Sequence, residues 1–269
     1  MKEKIRLDKE METLLIPLYG RAQMYESGLF FDQFAVETVR KVDYDFEKLK
    51  ISKKLQIFMA IRSSAIDHYV NEVISMKQNL NIISLGSGLD ARYARVSGYK
   101  SWTDLDMPEV AKLRKLLLPE IEKHTTIASS VTEQAWSESL GIDGGEEVLV
   151  IAEGLFMYLT NEEVLELISR LTAKFKKLTI LFDAYSSLTV KKIKNQPSLK
   201  KTGATIRWGI DDPYYIERMN GKLKYSKTIY LTDDSSIRKL NAYYRFMFRT
   251  VGKIKAAKEA HRILVFHTN

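Results

Sequence analysis

The chain has 269 residues, 45% of them hydrophobic and 28% charged, with no Cys. That length suits one large domain, or a domain with a cap, around a full core. The missing Cys rule out a disulfide framework or a thiolate metal site, and no apolar run approaches the roughly 18 residues of a membrane span.

The formal net charge of +8 is unevenly spread. From Leu188 onward there are 18 Lys+Arg against 6 Asp+Glu, which leaves 24 against 28 in the first 187 residues. A basic C-terminal third can attract nucleic acid or an anionic small substrate, or it is a solvated lysine surface without a specific partner. The four His (His68, His124, His261, His267) stand at no metal-ligand spacing, so no metal site is expected. The opening MKEKIRLDKEMETLL alternates charged and apolar residues without a signal-peptide core. A cytoplasmic location is therefore expected.

Residues 1–80 contain no clear strand. EMETLLIPLYGRAQMYE and KKLQIFMAIRSSAIDHYVNEVISM place apolar residues at helical spacing (in the second, Leu55, Phe58, Met59, Ile61, Ile66, Tyr69, Val70 and Val73), which predicts a helical cap over 1–80. The pattern then changes. NIISL (81–85) is a short β-rich run ending at glycine, ARYARV starts a helix, and YKSWTDLD (99–106) is a second strand. MPEVAKLRKLLLPEIEK is a helix with Pro108 in its first turn, where a missing N–H does no harm. TTIASSV (125–131) and EEVLVIAEG (146–154) are the third and fourth strands. TNEEVLELISRLTAKF is a helix whose Thr160 and Glu163 have the spacing of a capping box. LTILFDAY (178–185) is the fifth strand. Strands alternating with helices imply βαβ units and a mostly parallel, doubly wound α/β sheet, 81–269, with both faces covered. After Tyr185 the sequence turns polar and basic, and an insertion over about 186–232 with one or two helices is expected. Residues 233–261 are mostly helical by pattern, although YYRFMFR also reads as a strand. RILVFHTN (262–269) is the final strand.

In such a sheet the ligand lies outside the carboxyl ends of the strands. The informative residues are Gly86-Ser87-Gly88 after the first strand, Asp104 and Asp106 after the second, Ser129 and Ser130 after the third, Glu153 after the fourth and Asp183 after the fifth. The turn IISLGSGLDARY offers G-x-G-x-x-A, with Ala91 at the place of a third glycine, so the turn alone does not separate a dinucleotide from another nucleoside ligand. The carboxylates do. A diphosphate is repelled by acids at the strand ends and by Asp90 past the turn, whereas a ribose with a cationic centre is suited by them. A carboxylate after the second strand accepts from both ribose hydroxyls, and the glycines let backbone approach closely. S-adenosylmethionine is favoured over NAD. Asp104 and Asp106 face the same side of the pleat, so one is expected at the ligand and the other as a cap of the helix starting at Pro108. Asp183 is either a ligand contact or a helix cap. Glu153, at the mouth of a buried strand, needs a partner. Tyr158 is a core aromatic or a residue facing the acceptor.

Taken in order, LGSGLDARYARV, WTDLDMPEVAKLRKLLL and VLVIAEGLFMYLTNEEV resemble the leucine carboxyl methyltransferase family, and within it the bacterial small-molecule O-methyltransferases. ETLLIPLYGRA and IRSSAID resemble the same group's cap, so the resemblance spans roughly 12–185. It implies a class I methyltransferase Rossmann-like fold and S-adenosyl-L-methionine as cofactor. It also implies roles. Arg62 pairs with the methionyl carboxylate, for which the guanidinium fork is suited. Gly86, with Ser87 and Gly88, forms the cofactor loop, and Asp106 binds the ribose. Ser130 and Val131 contact adenine, Ser130 standing where the family carries Asp. Glu153 lies near the cofactor's amino group, Tyr158 faces the acceptor, and Arg21 is a basic cap residue near the cofactor.

The expected reaction is transfer of a methyl group to an oxygen of a small molecule, a carboxylate or phenolic hydroxyl. His68 lies in a helix and His124 starts a strand, so no catalytic His is evident, which with the basic C-terminal third favours a carboxylate or acidic phenol. The family also includes methylators of peptide C-terminal carboxylates. A nicotinamide-dependent reductase is opposed by the strand-end acids and the missing third glycine. A nucleic-acid methyltransferase would explain the basic end, but AEGLF stands where an N-P-P-Y-type tetrapeptide would be. A non-catalytic protein of the same fold would bind no cofactor.

Overall fold

A computed structural model describes residues 12–193 and 205–268. Seven strands form one sheet: β1 (Asn81–Leu85), β2 (Ser101–Asp106), β3 (His124–Ala128), β4 (Glu147–Ala152), β5 (Lys177–Tyr185), β6 (Leu223–Tyr230) and β7 (His261–Thr268). Their spatial order is β3-β2-β1-β4-β5-β7-β6. All neighbours from β3 to β5 pair in parallel, and β7 runs antiparallel between β5 and β6. The order reverses between β1 and β4, so the loops after these strands open a crevice where a ligand can enter.

Apolar residues in the central strands alternate between two cores. Ile82, Leu149, Ile151, Leu181, Ile263 and Val265 face one side. Ile83, Val150, Ile180, Phe182, Leu264 and Phe266 face the other. Both faces need cover, which explains the unbroken apolar runs. On the first side lies the long helix α3 (Lys53–Met76), started by Ser52, whose Oγ accepts from Leu55 N. Its Ile57, Ile61, Ile66, Val70 and Val73 pack directly on the sheet. On the second side α7 (Asn161–Lys174) buries Val164, Leu167, Ile168 and Leu171. Its capping box forms as expected, Thr160 Oγ1 accepting from Glu163 N while Glu163 accepts from Thr160 N. Helices α1 (Glu12–Glu26) and α2 (Gln33–Lys41) make a smaller core with Leu113 and Leu117 of α5 (Pro108–Leu117) and with Leu89 of the glycine loop.

The structure corrects several expectations beyond the fifth strand. The insertion placed at 186–232 ends in β6, an edge strand with a bulge between Tyr225 and Lys227. Its middle is a polar run, Ser226-Lys227-Thr228, at the bulge, which protects an edge and weakens the strand signal. Part of that stretch, 194–204, lies outside the described residues, as does Asn269 of the final strand. YYRFMFR belongs to a helix (Ala242–Lys253) that buries only Phe248. The helix from Pro108 stops at Leu117 because Pro119 follows.

Asp104 is not a helix cap. It is buried inside β2, where it pairs with Arg114 Nη2 and accepts from Trp102 Nε1 at 3.0 Å, with His124 Nε2 2.7 Å away. Arg114 in turn donates from Nη1 to the carbonyls of Gly88 at 2.6 Å and Asp90 at 3.0 Å. One buried arginine therefore holds the glycine loop against β2. Breaking a buried ion pair by removing one partner strands the other charge. Arg114→Met should lower unfolding free energy by about 3–5 kcal/mol in urea titration followed by circular dichroism, and adding Asp104→Asn should recover part of the loss. A loss below about 1 kcal/mol, the worth of an exposed pair, would contradict the assignment.

Candidate active site

The crevice contains a cavity of about 360 Å³ between the ends of β1 and β4, α1 and α3. That volume lies in the range of small-molecule sites. Its lining combines a charged and loop set, Gly86, Ser87, Gly88, Asp90, Arg62, Glu153 and Arg21, with an apolar and aromatic set, Phe58, Met59, Met157, Tyr158, Tyr185 and Ile206.

The glycine loop follows from local geometry. β1 ends at Leu85, and Gly86 turns the chain at φ +60° so that its N–H donates to Leu105 O at 2.8 Å. The left-handed conformation favours glycine at 86, and a Cβ there would also press on Leu155 Cδ1 at 2.9 Å. Gly88 N donates to Asp106 Oδ2 at 2.6 Å, and Met107 N donates to Asp106 Oδ1 at 2.8 Å. Asp106 ends β2 and is held beneath the loop, with lone pairs remaining on both oxygens. Burial pushes its pKa up, against the two backbone N–H groups that favour the charge.

The polar part of the cavity is a network of buried charges. Arg62 comes from α3. Its Nε donates to Glu153 Oε1 at 2.9 Å and its Nη1 to Asp183 Oδ2 at 3.1 Å. Ser63 Oγ donates to the same Glu153 oxygen at 3.0 Å. Arg92, in the single helical turn Arg92–Arg95 behind the glycine loop, donates from Nη2 to Glu153 Oε2 at 2.6 Å and bridges to Asp90 and Asp67. Arg95 joins Asp67, Asp90 and Asp32, and Arg21 joins Asp32 at 2.8 Å while donating to Leu89 O. Burial opposes ionisation of Glu153, but the Arg62 and Arg92 charges outweigh it and its pKa falls below the usual value. Asp183 behaves alike: burial raises it, Arg62 and the His261 hydrogen bond overcome that, and it lies well below the ordinary carboxylate range. Burial, followed by the Asp183 and Glu153 charges that overrule it, leaves Arg62 above its usual value. Tyr158, in a 3-10 turn over Phe156–Tyr158, and Tyr185 are both raised, burial being the first cause, so both hydroxyls keep their protons at neutral pH.

The structure brings together Arg62, Gly86, Ser87, Gly88, Glu153, Tyr158 and Arg21 at one cavity. Asp106 sits directly under its loop. Ser130 and Val131 follow β3 and do not line it; Ser130 Oγ lies 2.8 Å from Thr132 Oγ1, and Val131 O accepts from Trp136 Nε1. Asp183 is internal to β5 rather than past its end, and Gly154 N donates to its Oδ1 at 2.5 Å, so the helix-cap alternative falls. Sequence reasoning did not single out Arg92, Arg95, Asp67 or His261. Arg92 and Asp67 carry a signal in retrospect, standing in LDARYAR behind the loop and five residues after Arg62 on the same helix.

Two features suit a polar ligand with a carboxylate and an amino group. Ser87 Oγ is buried in the loop without a partner among the described residues. Arg62 Nη2 faces Gly154, lying 3.4 Å from where a Cβ there would stand, so the missing side chain leaves room at the one guanidinium nitrogen not paired with Glu153 or Asp183. Among the described residues no group of three or more His, Asp or Glu could hold a metal ion, and no helix is long and apolar enough to cross a membrane.

This strand order, with a glycine loop after β1 and an acid ending β2, defines a class I methyltransferase dependent on S-adenosylmethionine. The family follows: the chain belongs to the leucine carboxyl methyltransferase family, whose model matches residues 19–172. The chain is 29% identical over 268 residues to the tetracenomycin polyketide synthesis O-methyltransferase of Streptomyces glaucescens, covering 98% of each. It is 28% identical over 257 residues to an S-adenosyl-L-methionine-dependent methyltransferase of Gibberella zeae, covering 87% of this chain and 86% of that one. Its fold matches a DUF574 family protein of Streptomyces avermitilis with a TM-score of 0.60 at 11% identity, covering 93% of this chain and 97% of that one. It also matches the magnesium protoporphyrin IX methyltransferase of Synechocystis, solved with S-adenosylmethionine bound, with a TM-score of 0.50 at 10% identity over 98% of this chain and 99% of that one.

The buried carboxylates set a pH dependence. Because Glu153 and Asp183 have lowered pKa values in the folded chain, their contribution is complete above the unfolded-state values, where both states are ionised. As pH falls below those values the unfolded chain takes up protons first, and stability is lost towards the folded values. Unfolding free energy should therefore decline steadily below about pH 4. Glu153→Gln should flatten this acid limb while lowering stability at pH 7; an acid limb of unchanged slope would refute the role given to Glu153.

Proposed function

We propose that this chain is an S-adenosylmethionine-dependent O-methyltransferase acting on a carboxylate or phenolic hydroxyl of a small molecule in the cytoplasm. The observation that carries the reading is the cavity's mixed lining: charged groups with the glycine loop, and apolar and aromatic side chains with Tyr158. When bound, S-adenosylmethionine supplies a methyl group already activated by the sulfonium charge. The chain's own part is alignment and exclusion of water. Arg62 presents Nη2, unpaired among the described residues, to the methionyl carboxylate, with Ser87 Oγ and the Gly86–Gly88 backbone beside it. Glu153 stands near the amino group, Asp106 takes the ribose hydroxyls, and Ser130 and Val131 lie towards adenine, where a serine hydroxyl still accepts from an amino group. Tyr158 keeps its proton and so donates a hydrogen bond to the acceptor instead of acting as a base.

The cavity bears on the acceptor. Among the described residues from Leu188 onward only Ile193 and Ile206 line it, so the basic C-terminal third does not account for an anionic acceptor there. Leu55, Phe58, Met59 and Met157 favour a largely apolar molecule with one reactive oxygen. An acceptor carboxylate is ionised at neutral pH and needs no base, which agrees with the protonated tyrosines.

The test is transfer of label from methyl-labelled S-adenosylmethionine to apolar aromatic acids and phenols, with peptides and RNA alongside. Label should enter the small molecules only. Mild alkali then separates a methyl ester, which releases label, from an ether, which does not; label in RNA or peptide alone would refute the proposal. The residue roles are checked by calorimetry: Arg62→Lys keeps the charge but loses the fork, and Asp106→Ala loses the ribose acceptor. Each should weaken S-adenosylhomocysteine binding about tenfold or more, the worth of one charge-assisted hydrogen bond. Wild-type affinity in both would overturn these assignments.

A further inference from the structure

His261 opens β7 and is buried. The antiparallel register sets it opposite Tyr185 of β5. Its ring stacks on Tyr185 with centroids 4.1 Å apart and lies 5.1 Å from Phe58 of α3; both aromatics line the cavity. Its Nε2 is 2.6 Å from Asp183 Oδ2, and its Nδ1 has no partner among the described residues. Asp183 is the hub: Oδ2 also accepts from Arg62 Nη1, and Oδ1 accepts from Gly154 N. An ionised carboxylate can only accept, so Nε2 carries the hydrogen and Nδ1 is bare. Burial pushes the His261 pKa down, with Asp183 opposing, which agrees with a neutral ring.

We infer that His261 is a positioning residue of the cofactor site: its Nε2–H fixes the Asp183 carboxylate in the one orientation that aligns both the Arg62 fork and the turn at Gly154. The inference rests on the reading of the charged lining as the S-adenosylmethionine site. A plain core histidine would fill the space between Tyr185 and Phe58, but it would not need to aim a donor at a carboxylate that Arg62 and the Gly154 backbone both donate to. The ring also stacks on Tyr185, which lines the cavity.

The experiment compares two polar replacements of different reach. The amide nitrogen of His261→Gln extends to about the place of Nε2, and that of His261→Asn stops near Nδ1. Titration with S-adenosylhomocysteine should give His261→Gln an affinity within about threefold of wild type and His261→Asn one at least about tenfold weaker, the loss of one hydrogen bond to a charged group. Thermal unfolding accompanies each titration. Equal binding by His261→Asn and wild type, or equal weakening by both variants, overturns the inference. Histidine nitrogen-15 spectra of the unaltered protein at pH 7 read the ring without any variant: a neutral Nε2–H tautomer is expected, and an Nδ1–H tautomer overturns it. If unaltered protein binds no S-adenosylhomocysteine, the reading of the cavity itself falls, an outcome distinct from any difference between variants.

Discussion

The site depends on the Glu153 carboxylate, gripped by Arg62 from α3 on one oxygen and by Arg92 from behind the glycine loop on the other. Through this one group the end of β4, the helix on the sheet face and the loop after β1 are fixed relative to one another. Burying a carboxylate and two guanidiniums is costly unless each finds partners. Here every one does: Arg62 reaches Asp183, Arg92 reaches Asp67 and Asp90, and Arg95 and Arg21 extend the network to Asp32. The network does not have to add net stability to be useful. Its effect is to hold a small number of charged groups in one geometry around a cavity, the kind of fixed dipolar environment that aligns a reaction without reorganising during it.

This changes the electrostatic picture of the site. Acids at the strand ends read as bare negative charge awaiting a cationic ligand. In the folded chain most of that charge is already paired. The donors and acceptors left unspent there, among the described residues, are Arg62 Nη2, Ser87 Oγ, and the remaining lone pairs on Asp106 and Glu153. The helix α1 contributes from the other side, since Arg21 ties the N-terminal helices to the glycine loop at Leu89 O and Asp32. The cavity is thus walled by segments far apart in sequence.

How legible this was in the sequence varies by element for physical reasons. β1, β4 and β5 are buried on both faces and so read as short, largely apolar runs. Thr160 with Glu163, and Pro108, announce helix starts because their chemistry is local. Gly86 is legible because a turn at positive φ after a strand demands it. The edge strand β6 was not legible, because Lys224 and the polar run Ser226-Lys227-Thr228 imitate a loop. Ion-pair partners were the hardest to see. Asp104 gives no sequence cue that Arg114 and His124 will close on it, and Asp183 gives none that Arg62, 121 residues away, will reach it; such pairings exist only once the sheet order is set. His261 was invisible for the same reason, its role depending on the β5–β7 register.

The most direct test of the central claim, that the charged lining of the cavity is built for S-adenosylmethionine, is calorimetric titration of the purified protein with S-adenosylhomocysteine and, in parallel, with NADH. The account predicts saturable one-to-one binding of S-adenosylhomocysteine and no heat of binding from NADH. Binding of NADH instead, or of neither, would contradict it.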